Sequence, residues 1–236
     1  MDKRLETLKY TFTVEGETEK WYFDWLQDII NLCPDRKFNV SIDSKVQQSP
    51  LKFAKGANPK STPNVVHICD IESEDAVHVE KFKKILSELK DSKKQKNISY
   101  KLGYSNFTFE LWIILHKKNC TGPLNHRSQY LSHINQIFNE KFENLDQYKH
   151  EDNFKRCLKK LSLSDVKSAI DKADALMQQN KNDHKKYETY KGYNYYKENP
   201  SLTIYQAVES ILSECGICKK RKLYKDRIKK SVFCGN

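Results

Sequence analysis

The sequence predicts an α/β protein, with a mainly parallel sheet flanked by helices over residues 1–122, a helical region over 123–214 and a basic tail over 215–236. Three observations carry this expectation. Strand-like and helix-like hydrophobic periods alternate through the first 120 residues. One segment, NVVHICDIE, is continuously apolar, as a central strand covered on both faces must be. Beyond residue 120 the apolar residues recur at helical spacing.

Taken in order, Leu8, Tyr10, Phe12 and Val14 alternate strictly, which makes a first strand with one buried face; Gly16 breaks it. Trp21, Tyr22, Trp25, Leu26, Ile29 and Ile30 then follow a helical repeat, with Thr18 or Glu17 near its start. FNVSI (38–42) reads as a second strand, and residues 43–63, with Ser49, Pro50, Gly56, Pro59 and Pro63, as a polar loop. After NVVHICDIE, the segment AVHVEKFKKILSELK makes an amphipathic helix with Val79, Phe82, Leu86 and Leu89 inward.

NISYKLGYS gives another strand, and SNFTFELWIILH the helix after it, with Ser105 or Asn106 placed to cap it. Residues 130–142, SLSDVKSAIDKADALMQQ and SLTIYQAVESIL supply the helices of the second half. No internal repeat is present.

Forty-two Lys and Arg against 31 Asp and Glu give a formal net charge of +11. That excess points to a polyanionic partner, nucleic acid above all, or to a solvated lysine-rich surface. Seven glycines and six prolines are too few for a low-complexity or fibrous chain. No stretch approaches the roughly 20 apolar residues that span a bilayer, and the N-terminus lacks a signal-peptide apolar run, so a cytoplasmic protein is expected. Seven scattered cysteines fit reduced thiols better than a disulfide framework.

The acids are the informative residues. Glu15 ends the first strand just before a helix, where open α/β sheets bind their ligands. Asp70 and Glu72 end a central strand, their side chains on one face about 6.6 Å apart along the backbone, from two rises of about 3.3 Å. Glu110 is stranger, since seven of the twelve residues in SNFTFELWIILH are large and apolar. A carboxylate taken out of water there needs a cation or hydrogen-bond donor to offset several kcal/mol of desolvation. Either Glu110 joins Glu15, Asp70 and Glu72 around a cleft, or it lies on the solvent face of its helix. Four acids in one cleft would suit one or two magnesium ions, which take oxygen ligands and are usually held by one or two carboxylates together with waters and substrate phosphates. A metal pair stabilises both the attacking and the leaving oxygen of a phosphodiester displacement.

Other residues admit two readings each. Glu19, four residues after Glu15, enters the same site or lies exposed on the first helical turn. His116 is a general base by pKa, but about 600° of rotation separates it from Glu110, which favours capping or core packing. Cys215, Cys218 and Cys234 lack a fourth zinc ligand and read as free thiols. Residues 219–230 hold eight basic residues and one acid, among them Lys219, Lys220, Arg221, Lys222 and Arg227, which bind phosphates without reading sequence or form a solvated tail. Tyr187, Tyr190, Tyr193, Tyr195 and Tyr196 are interleaved with lysines and stack on unpaired bases or pack under the last helix.

VEGETEKWYF, ICDIESED and SNFTFELWIILH, in this order, with NPSLTIYQAVESIL near the end, resemble the signature of the RloB-like family. The blocks span residues 13–212 and are specific in combination. The resemblance implies a Toprim-type fold, whose members bind magnesium or manganese through a strand-end glutamate and an Asp-x-Asp pair and act on phosphodiesters. Glu15 would be that glutamate, a metal ligand or general acid/base, Asp70 the first aspartate, and Glu110 the glutamate of the Phe-Glu block. Glu72 stands where the family usually has a second aspartate, and Phe107 where it has proline. The resemblance further implies bacterial antiviral defence beside an ATPase partner. The expectation is therefore a metal-dependent nuclease, with RNA such as tRNA favoured over DNA by analogy. A non-catalytic nucleic-acid-binding or sensor subunit is the alternative.

Overall fold

The computed structural model describes residues 5–58, 60, 64–120, 122, 124 and 126–219. The alternating strand forms as β1 (Thr7–Val14), and the aromatic-rich repeat after it as α1 (Glu17–Leu32), burying Tyr22, Phe23, Leu26 and Ile30. A parallel crossover then delivers β2 (Asn39–Val46) beside β1, in register from Thr7 opposite Asn39 to Val14 opposite Val46. This strand is longer than FNVSI alone implies. Part of the expected loop is also structured: α2 (Pro50–Gly56) starts with proline at its first position and is capped by the Ser49 hydroxyl, which accepts from the Lys52 N–H at 3.2 Å. Its Phe53 and Ala54 belong to a packed face that Lys52, Lys55 and Gly56 obscure in the sequence.

The apolar run forms β3 (Asn64–Ile71), followed by α3 (Ala76–Lys96) and β4 (Ser99–Asn106). All four strands are parallel, in the order β2-β1-β3-β4, so the carboxyl ends of β1 and β3 lie side by side at the middle of the sheet. Val65, Cys69 and Ile71 face one core with Phe82, Leu86 and Leu89, while Ile68 faces a larger one built on α1 and the helical region.

Helix α4 (Glu110–Leu115) is short and wholly buried. Ser105 and Asn106 do not cap it, because β4 runs through both and other partners use their side chains. The Ser105 hydroxyl donates to Asp70, and the Asn106 amide lies 3.1–3.2 Å from the carbonyls of Tyr196, Lys197 and Glu198 and 2.9 Å from the Ser201 hydroxyl. The helical region follows as α5 (Tyr130–Phe138), ending four residues before its apolar pattern, then α6 (Leu145–Lys149), α7 (Glu151–Leu158), α8 (Leu163–Asn182) and α9 (Ile204–Glu214). It is not wholly helical. The tyrosine-rich segment is an antiparallel hairpin, β5 (Tyr187–Tyr190) with β6 (Tyr193–Tyr196), packed beside α3 and β4 rather than under α9.

Both sheet edges are protected. Outward N–H groups of Val40 and Ile42 on β2 donate to the side chains of Asn31 and Gln27 on α1, at 2.8 and 2.7 Å. Beyond β4, Ser105 bridges to Leu202, and the Thr203 N–H donates to the Tyr104 carbonyl. No helix of the described residues is long and apolar enough to cross a membrane. Because the Asn106 amide serves several buried acceptors, Asn106→Ala is expected to cost about 2 kcal/mol, read as a lower urea midpoint at unchanged slope.

Candidate functional site

A cavity of about 310 Å³ opens at the carboxyl ends of β1 and β3, lined by Glu15, Glu19, Asp70 and Glu72 and by the cations Lys81, Arg127 and Lys149, with Gly16, Glu17, Thr18, Gln48, Phe107 and Thr108. Glu15 and Asp70 meet at neighbouring strand ends: Glu15 Oε2 accepts the Asp70 backbone N–H at 3.1 Å, and Asp70 Oδ1 accepts from the Ser105 hydroxyl at 2.7 Å. The other Glu15 oxygen is buried without a hydrogen-bond partner. Burial pushes the Glu15 carboxyl up to about 7, reinforced by Glu19 and Glu72 and opposed by Lys81 and the Asp70 N–H. Burial also raises Asp70, with the charges of Glu15 and Glu19 acting in the same direction.

Glu19 is 6% exposed and accepts from the Thr18 hydroxyl at 3.0 Å. Gly16 permits this fold-back, since a β-carbon there would stand 3.1 Å from Glu19 Oε2. Burial, joined by the Glu110 charge, raises the Glu19 pKa. Its position one helical turn after Glu15 was the available signal, and the structure resolves it toward the cavity.

Glu72 lines the same cavity but is engaged at its rim, bonded to Lys81 and 3.6 Å from His78 Nε2. Burial alone would raise its pKa, but the Lys81 bond and charge prevail and lower it. Glu110 is fully buried behind the cavity lining. It occupies the first turn of α4, accepts from the Thr108 hydroxyl and pairs with Lys149 Nζ at 3.2 Å. That hydrogen bond and the Lys149 charge offset its desolvation, and Lys149 connects it to the cavity. Burial would depress the Lys149 ammonium, but Glu110, Asp70 and Glu19 hold it above its ordinary value. Nothing in the sequence around Lys149 marks it, because its role depends on a fold-back from α6.

Several candidates lie elsewhere. His116 is 1% exposed, between the Tyr22 hydroxyl at 3.1 Å and the Trp112 carbonyl at 2.9 Å, and burial lowers its pKa to about 4. It is a neutral core residue away from the cavity lining. Cys215 is buried and Cys218 half-buried, both free thiols, while Cys234 lies outside the described residues. Lys219 is exposed just beyond Cys215, whose carbonyl accepts the Lys37 N–H where β2 begins, at the sheet end opposite the cavity. Lys220, Arg221, Lys222 and Arg227 lie outside the described residues.

Among the described residues no group of three His, Cys, Asp or Glu is arranged to hold a metal ion. Magnesium does not require one, because one or two carboxylates suffice when waters and substrate phosphates complete its octahedron. Glu15 and Asp70 fit that role, since one Glu15 oxygen is an unpartnered buried acceptor and both carboxyls are raised by burial, with neighbouring carboxylates acting in the same direction. Glu72 fits it less well while it is bonded to Lys81.

A family model described as RloB-like protein matches residues 10–211. The chain belongs to the RloB-like family. The match covers the strand-end acids, the Phe-Glu block and the Asn-Pro-Ser segment that Asn106 holds. No curated protein and no solved structure matches the chain.

Two predictions test the charge network of this RloB-like protein. A carboxyl whose folded pKa exceeds its unfolded value binds more protons when folded, so its contribution falls as pH rises from about 4.3 toward 7. Glu15→Gln is therefore expected to be more stable than the wild type at pH 8, by on the order of 1 kcal/mol, with the difference gone at pH 4.5. Lys149→Met strands Glu110 and is expected to cost about 3 kcal/mol, while Lys149→Met with Glu110→Gln recovers more than half, as a double-mutant cycle by chemical denaturation will read.

Proposed function

We propose that this RloB-like protein is a metal-dependent nuclease with a Toprim-type site, cleaving phosphodiester bonds of nucleic acid, RNA such as tRNA in preference to DNA, in bacterial antiviral defence. The observation that carries the reading is the Glu15–Asp70 pair, two crowded strand-end carboxylates with an unpartnered buried oxygen in a cavity rimmed by cations. The four-stranded parallel sheet with its acids at the carboxyl ends supports it.

Glu15 and Asp70 would hold Mg²⁺ or Mn²⁺, with Glu72 a third ligand once it leaves Lys81. When bound, the ion supplies Lewis acidity and lowers the pKa of a coordinated water. The chain's own groups do the rest. Lys81, Arg127 and Lys149 line the cavity and place positive charge where a phosphate must lie. Ser105 fixes the Asp70 carboxylate by its hydrogen bond, and Glu110 fixes the Lys149 ammonium. The net charge of +11 suits a polyanionic substrate. Preference for RNA is an analogy, since a toxic defence enzyme needs only a vital target, and an ATPase partner follows from the family resemblance.

One observation favours a second reading. The Glu72–Lys81 bond holds a cation beside the carboxylates, as a non-catalytic nucleic-acid-binding or sensor subunit would retain it. Incubation of total tRNA and supercoiled plasmid with the purified protein in Mg²⁺, Mn²⁺ or EDTA separates the two. The nuclease reading expects metal-dependent cutting that Glu15→Gln and Asp70→Asn reduce at least about 100-fold, with Mg²⁺ raising the melting temperature of the wild type and not of Glu15→Gln. Full cutting by both variants overturns the assignment. No cutting in any metal, with affinity unchanged in the variants, supports the sensor subunit.

A further inference from the structure

The five tyrosines of the β5–β6 hairpin are not equivalent. Tyr195 is 3% exposed, its ring 5.0 Å from Phe82 of α3 and 6.4 Å from Tyr104 of β4. Tyr196 is 5% exposed, and its N–H donates to the Tyr104 hydroxyl at 2.9 Å. Tyr193 packs against the same core and donates to the Tyr100 carbonyl at 3.4 Å. These three bolt the hairpin to α3 and β4.

The other two are less covered, although Tyr190, paired with Tyr193 across the hairpin, also packs partly against that core. Tyr187 is 49% exposed, and the half-buried Tyr190 ring carries two ammonium groups, Lys83 Nζ from α3 at 5.7 Å and Lys191 Nζ from the turn at 5.6 Å. Neither lysine has an ion-pair partner among the described residues. Lys191 and Gly192 both adopt positive φ, 53° and 90°, the two-residue turn that matches hairpin twist. The turn thus fixes Lys191 beside Tyr190, the residue next to it in the chain. Residues 185–197 hold four lysines and one acid.

The hairpin lies beside elements that line the cavity. Lys197, just past β6, reaches Glu74 at 3.8 Å, two residues after the cavity-lining Glu72, and α3 contributes Lys81 to the cavity and Lys83 to the hairpin. Four residues of β6 place the turn about 13 Å farther out.

We propose that the hairpin and the adjoining part of α3 are the surface on which a single-stranded nucleic acid approaches the cavity, with phosphates at Lys83 and Lys191 and an unpaired base against Tyr190. The proposal rests on the reading of the cavity as a phosphodiester site and adds to it the strandedness of the substrate. A single strand fits because its bases are free to meet an aromatic ring flanked by cations, whereas a duplex keeps them stacked inside. Lys219, the described residue of the basic run, lies at the opposite end of the sheet.

The test is fluorescence anisotropy of a labelled 12-nucleotide single strand, and of a duplex of the same length, with the full-length protein in EDTA. Lys83→Ala/Lys191→Ala is expected to weaken single-strand binding about tenfold and to reduce the slope of log affinity against log salt by about 1.4, two contacts at about 0.7 each. Tyr190→Ala is expected to weaken it at least about fivefold, with Tyr190→Phe retaining the wild-type value. Lys55→Ala/Lys159→Ala makes the same charge change on other exposed faces and is expected to leave the slope nearly unchanged. An unaltered slope in Lys83→Ala/Lys191→Ala, an equal loss in the control pair, or duplex binding as tight as single-strand binding overturns the proposal. EDTA keeps the measurement independent of cleavage, so binding that depends on the hairpin without any metal-dependent cutting defeats the nuclease reading alone.

Discussion

Crowding of like charge at the middle of the sheet is the constraint on which the architecture depends. Parallel topology brings Glu15 and Asp70 together, α1 adds Glu19, and α4 adds Glu110 behind them. Among the described residues the α/β half brings Lys81 of α3 to Glu15, Asp70 and Glu72 from the rim but pairs no cation with Glu110. That role falls to Lys149, at the end of α6, which is attracted to Glu110, Asp70 and Glu19 together. The helical region is thus a condition for burying Glu110.

A second tie runs from β4 to the segment before α9. Asn106 spends its amide on carbonyls of residues 196–198 and on Ser201, while the Tyr130 hydroxyl reaches both the Asn106 carbonyl and Asn199. The Asn-Pro-Ser block therefore has a structural explanation independent of any chemistry: it closes the back of β4, where Phe107 and Thr108 enter the cavity wall.

What the sequence revealed and what it hid follow from the range of the interactions. Strand alternation at Leu8 to Val14 and the apolar run before Asp70 are local signals, and they located β1, β3 and the two central acids. Glu110 was conspicuous through its apolar neighbours, though not its partner, since Lys149 lies 39 residues away and only tertiary folding selects one lysine among many. Glu72 looked equivalent to Asp70 by spacing, yet a lysine nine residues on occupies it. The hairpin is hidden in the sequence because tyrosines at positions 187, 190, 193 and 196 also fit a period of three, and its strands have only four residues each. Ser105 and Asn106 have the chemistry of helix caps, and only the neighbouring strand and loop divert it.

The closure of both sheet margins has a consequence for association. Strand addition requires a row of free amides and carbonyls, and here Gln27 and Asn31 occupy the first half of one row while the chain segment at Leu202 covers the other side. Backbone zippering, which is tolerant of sequence, is thereby discouraged. Where the edges are closed, docking depends on side chains of helical or hairpin surfaces, where shape and charge discriminate one companion from another.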